Sequence, residues 1–169
     1  MYRGDGQGLA LLLVHPGGPF WAKKDLGSWS IPKGEYSGSE DPLGVALREF
    51  EEETGTRPSG DFKPLGELVQ PSRKIVTVWA VEGDFNPEQL KSNTFELEWP
   101  PRSGRNATFP EVDRAAWFSP SQAREKILPG QAEFIARLIE AVGVSGPSPL
   151  REAAVAVTAK PPVRRRARK

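Results

Sequence analysis

The sequence contains no cysteine and only one histidine, His15. Disulfide bonds and thiolate metal sites are therefore excluded. The longest apolar run, residues 9–14, is too short to span a membrane or to form the core of a signal peptide. A single histidine at the end of a predicted strand is more often structural than catalytic. We therefore expect a cytoplasmic protein without thiol chemistry.

Charge is nearly balanced over the whole chain, at a net +1, but it is unevenly distributed. Residues 151–169 contain seven Lys or Arg and one Glu, so the preceding part of the chain is mildly acidic. From residue 145 onward Pro, Ala, Val and Arg dominate without a helical period, which predicts a disordered basic tail over residues 145–169. We expect one folded domain over residues 1–144. A solvated tail is the expected form, and contact of the tail with nucleic acid is the alternative.

Four glutamates lie within five residues, between Glu49 and Glu53. On a helix Glu49, Glu52 and Glu53 share one face, whereas Glu51 points away from them. Like charges at these spacings repel each other and weaken a helix. A hard divalent cation such as Mg²⁺ or Mn²⁺ takes oxygen ligands and would neutralise the cluster. We therefore predict a divalent metal site on this face.

The ends of this helix are marked in the sequence. Asp41 is a good N-cap, Pro42 suits the first helical position, and Gly55 is a typical stop. A Gly-rich loop with Lys33 precedes the helix, which is an arrangement suited to a polyphosphate. An apolar stripe beside the glutamates is expected to anchor the helix in the core, and it comprises Leu43, Ala46, Leu47 and Phe50.

This stretch resembles the 23-residue signature of the Nudix hydrolases. Every fixed polar and glycine position of that signature is present, and only Phe50 and Thr56 depart from its aliphatic positions. Both departures are at positions that affect packing, and they leave the catalytic interpretation unchanged. The positions that match are Gly34, Glu40, Arg48, Glu49, Glu52, Glu53 and Gly55.

The resemblance covers roughly residues 8–142 and implies an α/β fold, namely the Nudix α/β/α sandwich with a mixed curved sheet. The catalytic helix is expected on one side of the sheet and the C-terminal helix on the other. Only residues 1–3 precede the Gly-rich turn at residues 4–8, so the N-terminal strand is predicted to be truncated. We expect the true start of the protein to lie upstream.

The resemblance also implies metal-assisted hydrolysis of a phosphoanhydride. Mg²⁺ or Mn²⁺ would be held by Glu49, Glu52 and Glu53, with the carbonyl of Gly34 as a further ligand. Arg48 is expected to orient a glutamate through a charge-assisted pair rather than to contact the substrate.

A carboxylate must take the proton of the attacking water, and the candidates are Glu52 and a residue outside the signature. Glu111 is the preferred outside residue, and Glu96 and Glu98 are its alternatives. Glu40 is expected to fix the loop before the helix.

The substrate is less defined than the reaction. The run Trp29, Pro32, Lys33 and Gly34 resembles that of diadenosine polyphosphate and diphosphoinositol polyphosphate hydrolases. Lys33 and Arg73 are candidate phosphate contacts, whereas Trp29 is expected to be a core aromatic residue. Pro71 weakly favours ADP-ribose.

The expected substrate is a nucleoside triphosphate or a dinucleoside polyphosphate. An ADP-ribose or nucleotide-sugar pyrophosphatase is one alternative. A second alternative is a Nudix module that binds a nucleotide without cleaving it, although such modules usually lose signature carboxylates. The expected partner is thus a small nucleotide, with no membrane partner, and the oligomeric state is left open.

Hydrophobic patterns outside the signature predict the remaining elements. A polar loop is predicted over residues 100–110. Strands are expected near residues 8–15, 65–69, 75–81, 95–99 and 110–118, with helices from residue 119 and over residues 129–142.

Overall fold

The computed structural model describes residues 1–4, 8–37, 39–70 and 73–143. The predicted tail, residues 145–169, lies outside these ranges, as does Pro71. No helix in the described ranges is long and apolar enough to cross a membrane.

Seven strands and three α-helices make up the described part of the chain. Two short 3₁₀ helices, Pro87–Gln89 and Pro129–Gln131, accompany them. The strands are β1 (Tyr2–Arg3), β2 (Ala10–Pro16), β3 (Lys63–Val69), β4 (Ile75–Ala80), β5 (Thr94–Glu98), β6 (Asn106–Pro110) and β7 (Val112–Phe118), and the helices are α1 (Pro42–Thr54), α2 (Pro120–Lys126) and α3 (Glu133–Ala141).

The main sheet is mixed, as predicted. Strand β2 pairs antiparallel with β1 on one side and with β7 on the other, and β3 pairs antiparallel with β4. A parallel bridge between Tyr2 and Glu82 connects β1 to the end of β4. There the Tyr2 N–H donates to the Val81 carbonyl at 3.0 Å, and the Gly83 N–H donates to the Tyr2 carbonyl at 3.0 Å. This one bridge joins the three-stranded sheet of order β1, β2, β7 to the two-stranded sheet of β3 and β4.

Strand β2 is buried on both of its faces. Leu11 and Leu13 pack in one apolar cluster with residues of α2 and α3, whereas Leu12 and Val14 pack in another cluster with Phe50 of α1. A strand that is covered on both faces has a continuous run of apolar residues in its sequence, rather than alternating apolar and polar residues. The helices thus form layers on both sides of the sheet, which confirms the predicted sandwich.

Helix α1 begins and ends where its caps predict. The Asp41 side chain accepts a hydrogen bond from the Gly44 N–H at 2.9 Å. Gly55 has a φ of 78°, which glycine adopts readily, and its N–H donates to the Glu51 carbonyl at 2.7 Å.

The apolar stripe of α1 is only partly in the core, contrary to expectation. Phe50 is buried with Val45, but Leu43, Ala46 and Leu47 are half-buried. These three side chains line a cavity between α1 and the β3–β4 hairpin.

The predicted loop over residues 100–110 is partly wrong, because residues 106–110 form strand β6. This strand pairs with β5 in a separate hairpin. Only Ala107 and Phe109 give it apolar character, and a strand so short carries a weak pattern. The Gly104 N–H donates to the Glu98 carboxylate at 2.7 Å and closes the turn.

The helix predicted over residues 129–142 is also divided. It begins as the 3₁₀ helix Pro129–Gln131, in which the Ala132 N–H donates to the Pro129 carbonyl at 3.3 Å, and it continues as α3. The Leu128 N–H donates to the Trp29 carbonyl at 2.7 Å, so the chain just before the 3₁₀ helix is tied to the loop after β2.

Replacing the α1 cap should destabilise the protein. We expect Asp41→Ala to lower the free energy of unfolding by about 1 kcal/mol, because the Gly44 N–H loses its acceptor. Urea unfolding measures the change. Asp61→Ala, at an exposed aspartate in the loop before β3, is the matched control and should change stability little. Equal effects of the two substitutions would contradict the capping role.

Candidate active site

Three glutamates lie on one face of the last two turns of α1, as their spacing predicts. They differ in exposure: Glu53 is 9% exposed as a residue, and the side chains of Glu49 and Glu52 are 18% and 40% exposed. The face therefore runs from a buried carboxylate to an open one. Glu51 points elsewhere and pairs with Arg57 at 3.2 Å.

Arg48 lies among the carboxylates of this face. Its Nη2 donates to Oε1 of Glu49 at 3.0 Å, and its Nε lies 3.8 Å from Oε1 of Glu52. Its Nη1 lies 3.9 Å from Oε1 of Glu40. One guanidinium thus holds carboxylates from two turns of the helix and from the preceding loop. A planar, permanently charged group is well suited to this task.

Glu40 belongs to the loop before α1 rather than to the glutamate face. Its carboxylate accepts hydrogen bonds from the Ser37 N–H at 2.8 Å and from the Ser37 hydroxyl at 3.0 Å. These bonds, led by the backbone N–H, lower the pKa of Glu40. Glu40 therefore ties the loop together in its ionised form.

The loop before α1 lies directly against the glutamate face. A Cβ on Gly34 would lie 1.8 Å from Cδ of Glu49, so a side chain larger than glycine's cannot fit unless Glu49 moves. One residue earlier, the Lys33 N–H donates to Oε2 of Glu53 at 3.2 Å. The backbone of residues 33–34 thus brings Gly34 beside Glu49 and holds Glu53 in place.

Glu53 has an unusual ionisation. Burial raises the pKa of Glu53 from 4.5 to about 7; the charge and the backbone N–H of Lys33 oppose the shift, and the negative charges of Glu49 and Glu111 add to it. The charge of Glu111 is thus near enough to Glu53 to act on its ionisation.

Backbone hydrogen bonds position Glu111. Its N–H donates to the Asn93 carbonyl at 2.8 Å, and the Asn93 N–H donates to the Glu52 carbonyl at 2.8 Å. The residue that follows β6 is therefore tied through Asn93 to the last turn of α1.

The two alternatives to Glu111 lie farther along the hairpin. Glu96 pairs with Thr108 in the β5–β6 ladder, and Glu98 is bonded to the turn at the hairpin tip. At about 3.3 Å per residue, Glu98 lies about 17 Å along the strand from Asn93. The structure thus places Glu111 beside the signature glutamates, and it does not place Glu98 there.

The donor set of this face suits a hard divalent cation, because Mg²⁺ prefers carboxylate and carbonyl oxygens. In the described ranges, however, no group of three or more His, Cys, Asp or Glu side chains is arranged so that it could hold a metal ion. Arg48 donates a hydrogen bond to Glu49 at 3.0 Å, and the Lys33 N–H donates to Glu53 at 3.2 Å, so two of the three glutamates are already paired. The predicted ligands share a face without converging on one point.

A cavity of about 820 Å³ adjoins this face at Lys33 and Gly34. It extends between α1 and the β3–β4 hairpin, where apolar side chains such as Leu47, Phe62 and Trp79 line it. Two predicted phosphate contacts, Lys33 and Arg73, lie on its lining and are exposed. The glutamate face and this apolar cavity with cationic side chains therefore meet at Lys33 and Gly34, whereas Glu49, Glu52 and Glu53 are not part of the cavity lining.

A third cation, Lys74, lines the cavity beside Arg73. Its ammonium group pairs with Glu35, and this pairing lowers the pKa of Glu35. The loop before α1 and the β3–β4 turn are thus linked across the cavity.

His15 and Trp29 are structural, as expected. His15 is fully buried, with Nδ1 at 2.7 Å from the Asp113 carboxylate and Nε2 at 2.9 Å from the Lys24 carbonyl. Trp29 is buried and its indole N–H donates to Asp25 at 2.9 Å.

Sequence reasoning missed one buried polar residue of the cavity, Gln131. It lies in a short 3₁₀ helix far from the signature, so no local motif marks it.

Comparisons with known proteins agree with the fold. A family model described as NUDIX domain matches residues 1–138. A comparison with curated proteins found no match.

Solved structures similar to this chain include a C. elegans Ap4A hydrolase in a binary complex, with a TM-score of 0.56, 18% identity, and coverage of 84% of this chain and 93% of that one. The NUDIX domain of Shewanella oneidensis NrtR, complexed with ADP ribose, has a TM-score of 0.54 and 17% identity, with coverage of 83% of this chain and 82% of that one. The E. coli ORF135 protein has a TM-score of 0.51 and 18% identity, with coverage of 88% of this chain and 91% of that one.

The buried carboxylate predicts a pH-dependent stability. Because the folded-state pKa of Glu53 is raised to about 7 from 4.5, its contribution to stability is fully present below about pH 4.5 and is lost as the pH rises through about 7. We expect Glu53→Gln to stabilise the chelator-treated protein, by little at pH 5 and by about 2–3 kcal/mol at pH 8.5. Urea unfolding at both pH values measures this.

Glu51→Gln is the matched control, because Glu51 lies on the same helix and is exposed. It should change stability little at either pH. A gain from Glu53→Gln that is equal at both pH values would contradict the raised pKa.

Proposed function

This chain belongs to the Nudix family of hydrolases, which act on phosphoanhydride bonds, and we propose that it is a metal-dependent pyrophosphohydrolase of a nucleoside triphosphate or a dinucleoside polyphosphate. The observation that supports the proposal is that residues 33–34 contact the glutamate face and also line the cavity beside it. A polyphosphate on the cationic side chains would reach the glutamates, and an apolar group joined to it would enter the cavity.

The cations of the cavity bind the phosphate chain in this proposal. Lys33 is next to Gly34, so its ammonium group serves the phosphates nearest the glutamates. Arg73 adds a guanidinium from the β3–β4 turn, and a guanidinium can contact phosphate oxygens in a bidentate manner. Lys74 is already paired with Glu35 and contributes less charge.

Glu49, Glu52 and Glu53 would hold Mg²⁺ or Mn²⁺, with the Gly34 carbonyl as an additional ligand. When bound, such a cation polarises phosphate oxygens and lowers the pKa of a water molecule. Arg48 keeps the side chains of Glu49 and Glu52 on the same side of the helix.

The proton of the attacking water goes to a carboxylate of this site. Glu52 is the most open of the three signature glutamates, and its longer contact with Arg48, at 3.8 Å, leaves its oxygens accessible. Glu111 is exposed, and its negative charge acts on Glu53. Both remain candidates for the general base.

Two alternatives use the same cavity. A pyrophosphatase of ADP-ribose or of a nucleotide sugar would bind the same nucleoside diphosphate with a different attached group. The similar NrtR domain was solved with ADP ribose, which keeps this alternative open. A module that binds a nucleotide without cleaving it is disfavoured, because all signature carboxylates are present in this chain.

The hydrolytic mechanism predicts that Glu52→Gln lowers the Mg²⁺-dependent turnover by about 10²- to 10⁴-fold, because a positioned proton acceptor contributes about this much. The thermal midpoint should stay close to that of the parent, since Glu52 is not buried. Phosphate release and a thermal melt measure the two effects. Glu51→Gln serves as the control and should retain turnover. Full activity of Glu52→Gln would rule out the mechanism.

A panel of phosphoanhydrides tests the substrate class. It comprises the four ribonucleoside triphosphates, diadenosine tetraphosphate, ADP-ribose and a nucleotide sugar, with products separated by chromatography. We expect kcat/KM to be highest for a triphosphate or for the tetraphosphate. A higher value for ADP-ribose or the nucleotide sugar would replace the proposed substrate class with the alternative.

A further inference from the structure

The cavity beside α1 has three cations and one carboxylate on its described lining. The cations are Lys33, Arg73 and Lys74, and the carboxylate belongs to Glu35. Cations attract a phosphate chain, whereas a free carboxylate in the same place repels it. Glu35 is therefore the one residue of the described lining whose charge opposes the proposed ligand.

Glu35 interacts with two of these cations. Its carboxylate pairs with the Lys74 ammonium group, which comes from the opposite side of the cavity, at the β3–β4 turn. The pairing with Lys74 lowers the pKa of Glu35 most, and the positive charge of Lys33 adds to the shift. The carboxylate thus occupies a position in which two cations act on one anion.

The backbone places Glu35 beside the glutamate face. A Cβ on the preceding residue, Gly34, would lie 1.8 Å from Cδ of Glu49, so the two residues are in close contact. The Cα of Glu35 lies about 3.8 Å from that of Gly34. Glu35 is therefore at the border of the cavity and the glutamate face, which is where the proposed function places the phosphate chain.

The pair between Glu35 and Lys74 is easily opened. It joins positions 39 residues apart, but the two side chains are 83% and 64% exposed. Ion pairs with this exposure contribute little to stability, so breaking the pair costs little. A phosphate offers several acceptor oxygens and, at the end of a chain, a charge of about −2, so it can replace a carboxylate on a lysine.

We propose that Lys74 is a phosphate-binding residue and that the Glu35 carboxylate occupies its phosphate site in the free protein. Glu35 is then a positioning residue, which holds the ammonium group at the cavity until a substrate phosphate displaces the carboxylate. The inference rests on the proposed function, and it adds a competitor within the chain that sets the affinity for the phosphate chain.

Exchange of the carboxylate for a phosphate predicts coupled effects on affinity. Dissociation constants for ATP and diadenosine tetraphosphate are measured by calorimetry with Mg²⁺ in the full chain carrying Glu52→Gln, which slows turnover. We expect Glu35→Gln to strengthen binding about two- to fivefold, because the phosphate no longer has to open an ion pair. In a chain that also carries Lys74→Gln, the same substitution should change the constants by less than about twofold.

A matched variant controls for the loss of one negative charge. Glu88→Gln replaces an exposed glutamate of the 3₁₀ helix Pro87–Gln89, outside the cavity lining, and should leave both constants unchanged. The thermal midpoints of all variants should stay close to that of the parent, because Glu35, Lys74 and Glu88 are exposed.

The outcomes separate the inference from the function on which it rests. Unchanged affinity in Glu35→Gln overturns the inference even if hydrolysis proceeds. A gain of equal size with and without Lys74 also overturns it, because Glu35 would then only repel phosphate. Binding of neither ligand by the Glu52→Gln parent overturns the proposed function together with this inference. A gain that requires Lys74 supports the inference.

Discussion

The contact between the loop backbone at residues 33–34 and the glutamate face is the constraint on which the site depends. Gly34 lies so close to Glu49 that a Cβ would collide with the carboxylate, and the Lys33 N–H donates to Glu53. This contact fixes the position of the loop before α1 relative to the glutamates. It also forms the common border of the cavity and the glutamate face, so a shift of the loop would change both.

The clustered glutamates destabilise the folded state, and neighbouring groups offset part of this destabilisation. Glu53 is buried with a raised pKa, which weakens the folded state near neutral pH. Arg48 places a positive charge among the other carboxylates, and Phe50 anchors the same turn of the helix in the core. A carboxylate that weakens the folded state thus lies within a few residues of groups that stabilise it.

The sequence predicted those features that depend on local spacing. The shared face of Glu49, Glu52 and Glu53 and the caps at Asp41 and Gly55 follow from helical geometry, so they could be predicted without a structure. The fold followed from a signature of fixed spacing. These are properties of residues close together in the chain.

The features that the sequence did not predict depend on residues distant in the chain. Strand β6 carries too few apolar residues to show a pattern, and Leu43 and Leu47 look like core residues until the cavity beside them is seen. The bond from Ile31 to Gln131 joins positions 100 residues apart, so no motif contains both. The pairing of Arg48 with Glu49 and of the Lys33 N–H with Glu53 is also a feature that spacing cannot show.

The β5–β6 hairpin has a consequence for how this enzyme can diversify. It is separate from the main sheet, and its base joins α1 through Asn93 and Glu111, where Thr94 pairs with Pro110. Residues added in pairs at its tip would leave the backbone bonds of that base unchanged. A slip of one residue in the pairing would instead carry Glu111 about 3.3 Å away from Glu53. A change of length at the tip and a change of register at the base would therefore have different consequences for the position of Glu111.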